Sequence, residues 1–186
     1  MRIHSWLIWS KKLSIIAYFK VNNQLEEGWA YNPMLEIHGA SGCGNNWAYG
    51  FNSIGPKNHN IFHEKIQNLL EKIDFLGGFF TIQGLAGGTG SGVGTYFSEF
   101  IKELFPSKIL MNCLIWPYSR GEIIVQSMNT LLTIVHSSIS SDGLIICDND
   151  KASEICLNSL NIKNPTFDHM NSVISQDLRS VFLPVQ

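Results

Sequence analysis

Between Gly84 and Gly94 the chain reads Gly-Leu-Ala-Gly-Gly-Thr-Gly-Ser-Gly-Val-Gly, and nothing else in it restricts the fold as strongly. Ahead of this stretch stands an apolar run, Gly78-Phe79-Phe80-Thr81-Ile82-Gln83, that reads as a short buried strand. Behind it, Val93, Tyr96, Phe97, Phe100, Ile101, Leu104 and Phe105 recur at helical spacing until Pro106 supplies a stop. The order strand, glycine loop, helix has a physical meaning. Glycines let the backbone adopt positive φ and let an anion approach the amides closely. The helix that follows points free N–H groups and the positive end of its dipole at the same place. The hydroxyls of Thr89 and Ser91 add two more polar groups, so the stretch is built as a phosphate cradle.

Spacing narrows the kind of cradle. A P-loop needs a Lys directly after its last glycine, and none lies in or just after this loop. The dinucleotide fingerprint needs glycines at i, i+2 and i+5, which no triple here provides. A plain flexible linker would not sit between a buried strand and an amphipathic helix.

With 186 residues there is room for one domain with a sizeable core, and a hydrophobic fraction of 45% is that of a globular chain. A net charge of −2, with no basic run beyond Lys11-Lys12, argues against electrostatic nucleic-acid binding. Cys43, Cys113, Cys147 and Cys156 form no Cys-x-x-Cys pair and read as buried, reduced thiols of an intracellular protein. In the opening residues, Trp6-Leu7-Ile8-Trp9 and Leu13 to Phe19 are apolar but split by Lys11-Lys12. Neither part approaches the ~20 residues of a membrane span, so no membrane association is expected. Leu13 to Phe19 has the β-rich composition of a strand.

Gly42-Cys43-Gly44-Asn45-Asn46-Trp47-Ala48-Tyr49-Gly50-Phe51 suits a tight loop with aromatic packing, since Asn tolerates left-handed backbone. Asn58 to Asp74 is expected to be an amphipathic helix with Phe62, Ile66, Leu69, Leu70 and Ile73 inward. His59 and His63 are four apart on it, but no third ligand accompanies them, and they read as solvated rather than metal-binding. Lys108 to Trp116 reads as a strand buried on both faces. Glu122 to His136 reads as a helix with Val125, Met128, Leu131, Leu132 and Val135 on one side. Leu144 to Cys147 is a third buried strand, followed by a short helix over Lys151 to Leu160 with Ile155 and Leu160 inward. The last helix, Thr166 to Phe182, would carry Phe167, Met170, Ile174, Leu178 and Phe182 as its stripe.

This alternation predicts an α/β fold: a Rossmann-like three-layer sandwich, a mainly parallel sheet with helices on both faces. In such sheets ligands bind at the carboxyl ends of the strands. The glycine loop, the Pro117 to Gly121 loop and Asp148-Asn149-Asp150 all follow strands and are expected to converge there.

The glycine loop closely resembles the Gly-Gly-Thr-Gly-Ser-Gly signature of the tubulin family. Gly-Asn-Asn-Trp-Ala-Tyr-Gly from Gly44 to Gly50 resembles its second phosphate loop, in the form found in the delta branch. Ile115-Trp116-Pro117-Tyr118, Gly121 to Gln126, and Asn161-Ile162-Lys163-Asn164-Pro165-Thr166-Phe167 continue the likeness in order, from about Trp29 to the end. The resemblance implies a GTP-binding cytoskeletal protein, with Mg²⁺ accompanying the nucleotide. It implies other tubulins and microtubule or centriole components as partners, and a cytoplasmic location at centrioles, basal bodies and cilia. It assigns the phosphates to Gly84, Ala86, Gly87, Gly88, Thr89, Gly90, Ser91 and Gly92, together with Gly44, Asn45 and Asn46. Asn149 and Asn171 match the residues that read guanine, Phe167 the ring that stacks on the base, and Gln126 an acid that meets the ribose. Glu122 joins them through the Gly-Glu-Ile-Ile-Val-Gln motif.

The likeness also has gaps. Nothing in residues 1–28 resembles the family's opening strand and its phosphate loop, so that segment is unassigned. The nucleotide domain is expected over 29–165 as a partial copy, with the start of the central helix over 166–186. The family's catalytic acid comes from a neighbouring subunit's later segment, so the isolated chain is expected to show no appreciable GTP hydrolysis. Two other readings remain open: a Rossmann-type enzyme using another nucleotide, supported by fold class alone, and a tubulin remnant with weak or no nucleotide affinity.

Overall fold

The computed structural model describes residues 37, 42–71, 73–119 and 124–182. The expected strand at Leu13 to Phe19 lies outside them, as does the whole 1–28 segment.

The first described elements form one nearly continuous helical run. Helix α1 (Trp47–Tyr49) passes through a π-helical turn, Gly50–Ile54, into α2 (Gly55–Lys57) and then α3 (His59–Leu70). The tight loop expected over Gly42 to Phe51 is therefore confined to Cys43–Asn46. There the N–H of Asn46 donates to the carbonyl of Cys43, and Gly44 and Asn45 both take positive φ. Asn46 then caps α1, its side chain accepting from the N–H of Tyr49, so the chain has a reason to turn helical at Trp47.

Three strands follow, each separated from the next by a helix: β1 (Gly78–Gly84), α4 (Gly94–Leu104), β2 (Ile109–Trp116), α5 (Gln126–Ser140) and β3 (Gly143–Asp148). A second π-helical turn, Thr89–Val93, leads into α4, so helical structure starts four residues earlier than the apolar periodicity indicated. The sheet is parallel in the order β1-β2-β3. Gly84 pairs with Ile115 and Trp116 with Asp148, so all three strands end at one level. Helices α6 (Asn149–Asn158) and α7 (Phe167–Phe182) complete the described chain.

The sheet divides two cores. On one face Phe62 and Ile66 of α3 meet Phe97, Phe100 and Ile101 of α4 and Leu110 of β2, with Phe62 and Phe97 stacked at 3.8 Å between ring centroids. On the other, Ala152 and Cys156 of α6 and Met170, Val173 and Ile174 of α7 pack over Ile115 and Cys147. Helices thus cover both faces, the three-layer α/β arrangement that the alternation of elements predicts.

Several inward positions differ from the sequence reading. The residues α6 buries, against Ile115 and Cys147, are Ala152 and Cys156, whereas Ile155 and, just beyond the helix, Leu160 are exposed. On α7, Phe167 is 65% exposed and Val173 takes a core place. Both outer strands are less buried than expected: β3 has no fully buried residue, and β1 buries only Gln83. His59 and His63 are not free in solvent. His59 Nδ1 lies 2.9 Å from the Tyr96 hydroxyl, and both rings pack on Phe100.

The largest departure is α5. Its buried residues are Asn129, Thr130, Thr133 and Ser137, and its apolar side turns outward. The side it faces explains this. The neighbouring positions of the Thr89–Val93 turn, α4 and the sheet are Ser91, Thr95, Ser98, Gln83 and Asn112, all buried and polar. Gln83 donates to the Ser137 hydroxyl, and Asn112 bridges Thr81, Ser98 and Ser141. The small side chains Thr133 and Ser137 are hydrogen-bonded, to the Asn129 carbonyl and the Gln83 amide, which offsets the cost of burying them.

Candidate functional site

The glycine loop leaves the carboxyl end of β1 and crosses to the Cys43–Asn46 turn. Three glycines, Gly50, Gly88 and Gly92, make this meeting possible. A Cβ on Gly88 would overlap the backbone of Asn46 and sit 2.9 Å from Cys43 Cβ. A Cβ on Gly92 would overlap the carbonyl of Trp47, and one on Gly50 the carbonyl of Gly88. Gly90 closes back on Gly84, whose carbonyl would lie 3.1 Å from an added Cβ. The two π-helical turns are thereby held backbone to backbone. Gly44 and Gly84, by contrast, face open space, and an added Cβ on Gly87 would have only the Asn45 side chain near it, at 3.8 Å. Gly44, Gly84 and Gly87 thus leave room beside the backbone, Gly88 and Gly92 let the two loops meet, and Gly90 closes the glycine loop on itself.

The hydroxyls divide in the same way. Ser91 is fully buried and donates to the carbonyl of Gly87, holding the loop's own shape. Thr89 is half-buried, and its Oγ1 accepts from the N–H of Cys43 at 3.4 Å. Ala86 gives its carbonyl to a residue that sequence reasoning did not single out.

That residue is Asn129, on the second turn of α5 and 3% exposed. Its Nδ2 donates to the carbonyl of Asn45 at 2.8 Å and to that of Ala86 at 2.7 Å. Its Oδ1 accepts from the N–H of Trp47 at 3.1 Å. One amide therefore uses both donors and its acceptor to join two loops from distant parts of the chain. The Trp47 ring stacks on Phe51 at 4.6 Å and tilts against His136 at 4.7 Å, fastening α1 to α5. The only sequence signal for Asn129 was a polar residue among apolar ones, Met128-Asn129-Thr130-Leu131, which a helical reading places on the solvent side.

The rest of the sheet's carboxyl edge is built by β2, β3 and the helices after them. Asp148 caps α6, accepting from the N–H of Asp150 at 2.8 Å, so Asn149 stands at the helix start, half-buried beside the strand end. Asp150 Oδ2 accepts from the N–H of Ser119, tying the loop after β2 to the turn after β3. Gln126 donates from Nε2 to the carbonyl of Tyr118 at 3.1 Å, and the Tyr118 hydroxyl donates to Met170 Sδ at 2.7 Å. The first turn of α7 therefore lies at the same edge of the sheet, with Phe167 and Asn171 exposed there. Tyr118's hydroxyl is pushed above its ordinary pKa by burial, then by the charge of Asp150, which keeps it a neutral donor. Glu122 lies outside the described residues. The structure thus brings the glycine loop, the Gly44–Asn46 turn, Gln126, Asn149, Phe167 and Asn171 to one edge of one sheet.

Among the described residues no cluster of His, Cys, Asp or Glu could hold a metal ion, and no helix is long and apolar enough to cross a membrane. All four cysteines are free. The site's groups are amides, hydroxyls and one aromatic ring, chemically suited to an anion and a flat base.

Comparison with known proteins agrees with this geometry. The family model described as "Tubulin/FtsZ family, GTPase domain" matches residues 17–157, beginning ahead of Trp29. The chain is 43% identical over 156 residues to the tubulin delta chain of Mus musculus, which covers 84% of this chain and 34% of that protein. The tubulin delta chain of Canis lupus familiaris is also 43% identical, and that of Homo sapiens 40%, over the same shares. The chain spans about a third, 34%, of the length of the curated relatives it matches. With the family model covering most of its length, this chain belongs to the Tubulin/FtsZ family, of which it carries the GTPase domain.

Proposed function

We propose that the chain binds GTP at the carboxyl edge of its sheet, as a tubulin-like cytoskeletal protein of the delta type. The observation that carries this reading is the Asn129 clasp. An anion bound between two backbone loops needs them at a fixed separation, and one buried amide ties Asn45 and Ala86 together. Gly44, Gly84 and Gly87 leave room for an anion to approach the backbone, and the helical run from Thr89 directs its dipole towards the loop. In this reading Gly84, Ala86, Gly87, Gly88, Thr89 and Gly90 present backbone groups or the Thr hydroxyl to the phosphates, with Asn45 and Asn46 opposite. Ser91 and Gly92 act one step back, by shaping the loop. Gln126 meets the ribose. Asn149 and Asn171 read the guanine edge, for which an amide offers both donor and acceptor. Phe167 supplies a stacking face, which explains a large ring left 65% exposed. Magnesium would accompany the triphosphate. We assign the role to microtubules, centrioles and cilia, with other tubulins as partners, and the likeness to tubulin delta chains supports this reading.

The test is a thermal melt of the purified chain with GTP and Mg²⁺, with ATP and NAD as controls. A ligand at about 100 times its dissociation constant adds ~2.7 kcal/mol of stability, well within detection. A shift specific to GTP supports the reading. A larger shift with NAD favours a Rossmann-type enzyme, and a cooperative melt that no nucleotide moves refutes the binding site.

A further inference from the structure

The residues assigned to the sugar and the base stand on α5, α6 and α7, and all three helices are tied to Tyr118-Ser119 in the loop after β2. At the start of α5, Gln126 Nε2 donates to the Tyr118 carbonyl at 3.1 Å. Beside Asn149 at the start of α6, Asp150 Oδ2 accepts from the N–H of Ser119 at 2.8 Å. Beside Asn171 near the start of α7, Met170 Sδ accepts from the Tyr118 hydroxyl at 2.7 Å. The first two bonds use backbone groups of the loop, which any residue there would supply. The third depends on the tyrosine side chain.

That third bond fixes a flexible residue. A methionine side chain has three rotatable bonds and a soft thioether. Met170 is 2% exposed, and its own N–H donates to the Thr166 carbonyl, while Thr166 also bonds to His169 Nδ1. Such local bonds shape the turn without setting its place over the sheet. The Tyr118 ring packs on the core of Ala152, Cys156, Met170, Val173 and Ile174, and its hydroxyl selects one arrangement of the Met170 side chain. We propose that Tyr118 is a positioning residue for guanine recognition: through Met170 it holds the start of α7, and Asn171 with it, at the angle from which an amide reads the base. The inference rests on the GTP-binding reading above. Asn129 ties the two loops assigned to the phosphates, and Tyr118 ties the elements assigned to the base, so the two ends of the site have separate supports. Hydrogen bonds weaken steeply with misalignment, so a small rotation of α7 costs discrimination between bases rather than hold on the phosphates.

The test is binding of GTP and ITP to the full chain with Mg²⁺ present, because hypoxanthine differs from guanine only in lacking the 2-amino group. Tyr118→Phe keeps the ring and removes the donor. Met170→Leu removes the acceptor at nearly constant volume, a swap that cores tolerate well. The wild type is expected to prefer GTP. Each variant should lower that preference by roughly 3- to 10-fold, the worth of one neutral hydrogen bond, while ITP affinity holds. The double variant should lose no more than either single one, since both delete the same bond. A general loosening of the fold would instead weaken GTP and ITP alike. That result, losses that add in the double variant, or a GTP preference that survives both substitutions would each overturn the role of Tyr118. A wild-type chain that binds ITP as well as GTP would remove the guanine reading itself, a failure distinct from a variant that keeps the wild-type preference.

Discussion

Replacing Asn129 with Ala removes one side chain and disconnects two loops. Three backbone groups lose their partners: the carbonyls of Asn45 and Ala86 and the N–H of Trp47. An orphaned buried polar group costs about 1–3 kcal/mol. The Trp47 bond is buried, so its N–H bears that cost in full, whereas the two carbonyls are in part-buried bonds that water can partly replace. The expected loss is therefore about 2–4 kcal/mol, a large part of the ~5–15 kcal/mol of a typical domain. With a urea slope of about 1–3 kcal/mol per molar, the midpoint should fall by roughly 1–2 M. Asn129→Asp sharpens the argument. It keeps an acceptor for the Trp47 N–H but loses both donors and sets a carboxylate against two carbonyl oxygens. It should be at least as damaging as Ala, although it is nearly the same size. Nucleotide binding separates a clasp from a mere core residue. In either variant, examined below its new melting point, affinity for GTP should fall while the weak affinity for guanosine stays constant, because only the phosphates use the loop separation. A midpoint shift equivalent to less than ~0.5 kcal/mol, the usual range for surface changes, or a GTP affinity that holds, would refute the clasp.

Three further outcomes follow from the same structure. Gly92→Ala should cost about 1–3 kcal/mol by overpacking, because its Cβ would meet the Trp47 carbonyl and the backbone of Phe51 and Gly50; Gly84→Ala, with nothing within 4 Å, should change denaturation far less. Asp142 is held below its ordinary carboxyl range by hydrogen bonds from Lys102 and from the N–H of Leu110. Its proton binds at lower pH in the folded chain than in the unfolded one, so its stabilising effect is complete above about pH 4 and is lost as the pH falls through the folded value; Asp142→Asn should flatten that limb of an acid unfolding curve. Burial, with Cys147 beside it, pushes the Cys113 thiol up to about 12, so alkylation at mildly alkaline pH should spare Cys113 until denaturant is added, as peptide mass spectrometry would show.

The local grammar of this protein was legible from its residues. The strand–glycine–helix order around Gly84 to Gly94, the alternation that gives a parallel sheet, and the gathering of loops at its carboxyl edge are all consequences of short-range pattern and topology. Chain direction alone puts Gly84, Trp116 and Asp148 at one level once the sheet is parallel. The positive φ of Gly44 and Asn45 was likewise foreseeable from residue type. Periodicity, however, identifies a stripe without saying what lies opposite it. For α5 it marked Met128, Leu131 and Val135 as one side, and tertiary structure turned that side outward, since α4 and the sheet offered hydroxyls and amides rather than an apolar surface. The same inversion carried Asn129 to the centre of the site. A side chain's hydrogen-bonding partners are fixed only when distant segments meet, and the atoms Asn129 joins lie 84 and 43 residues away along the chain.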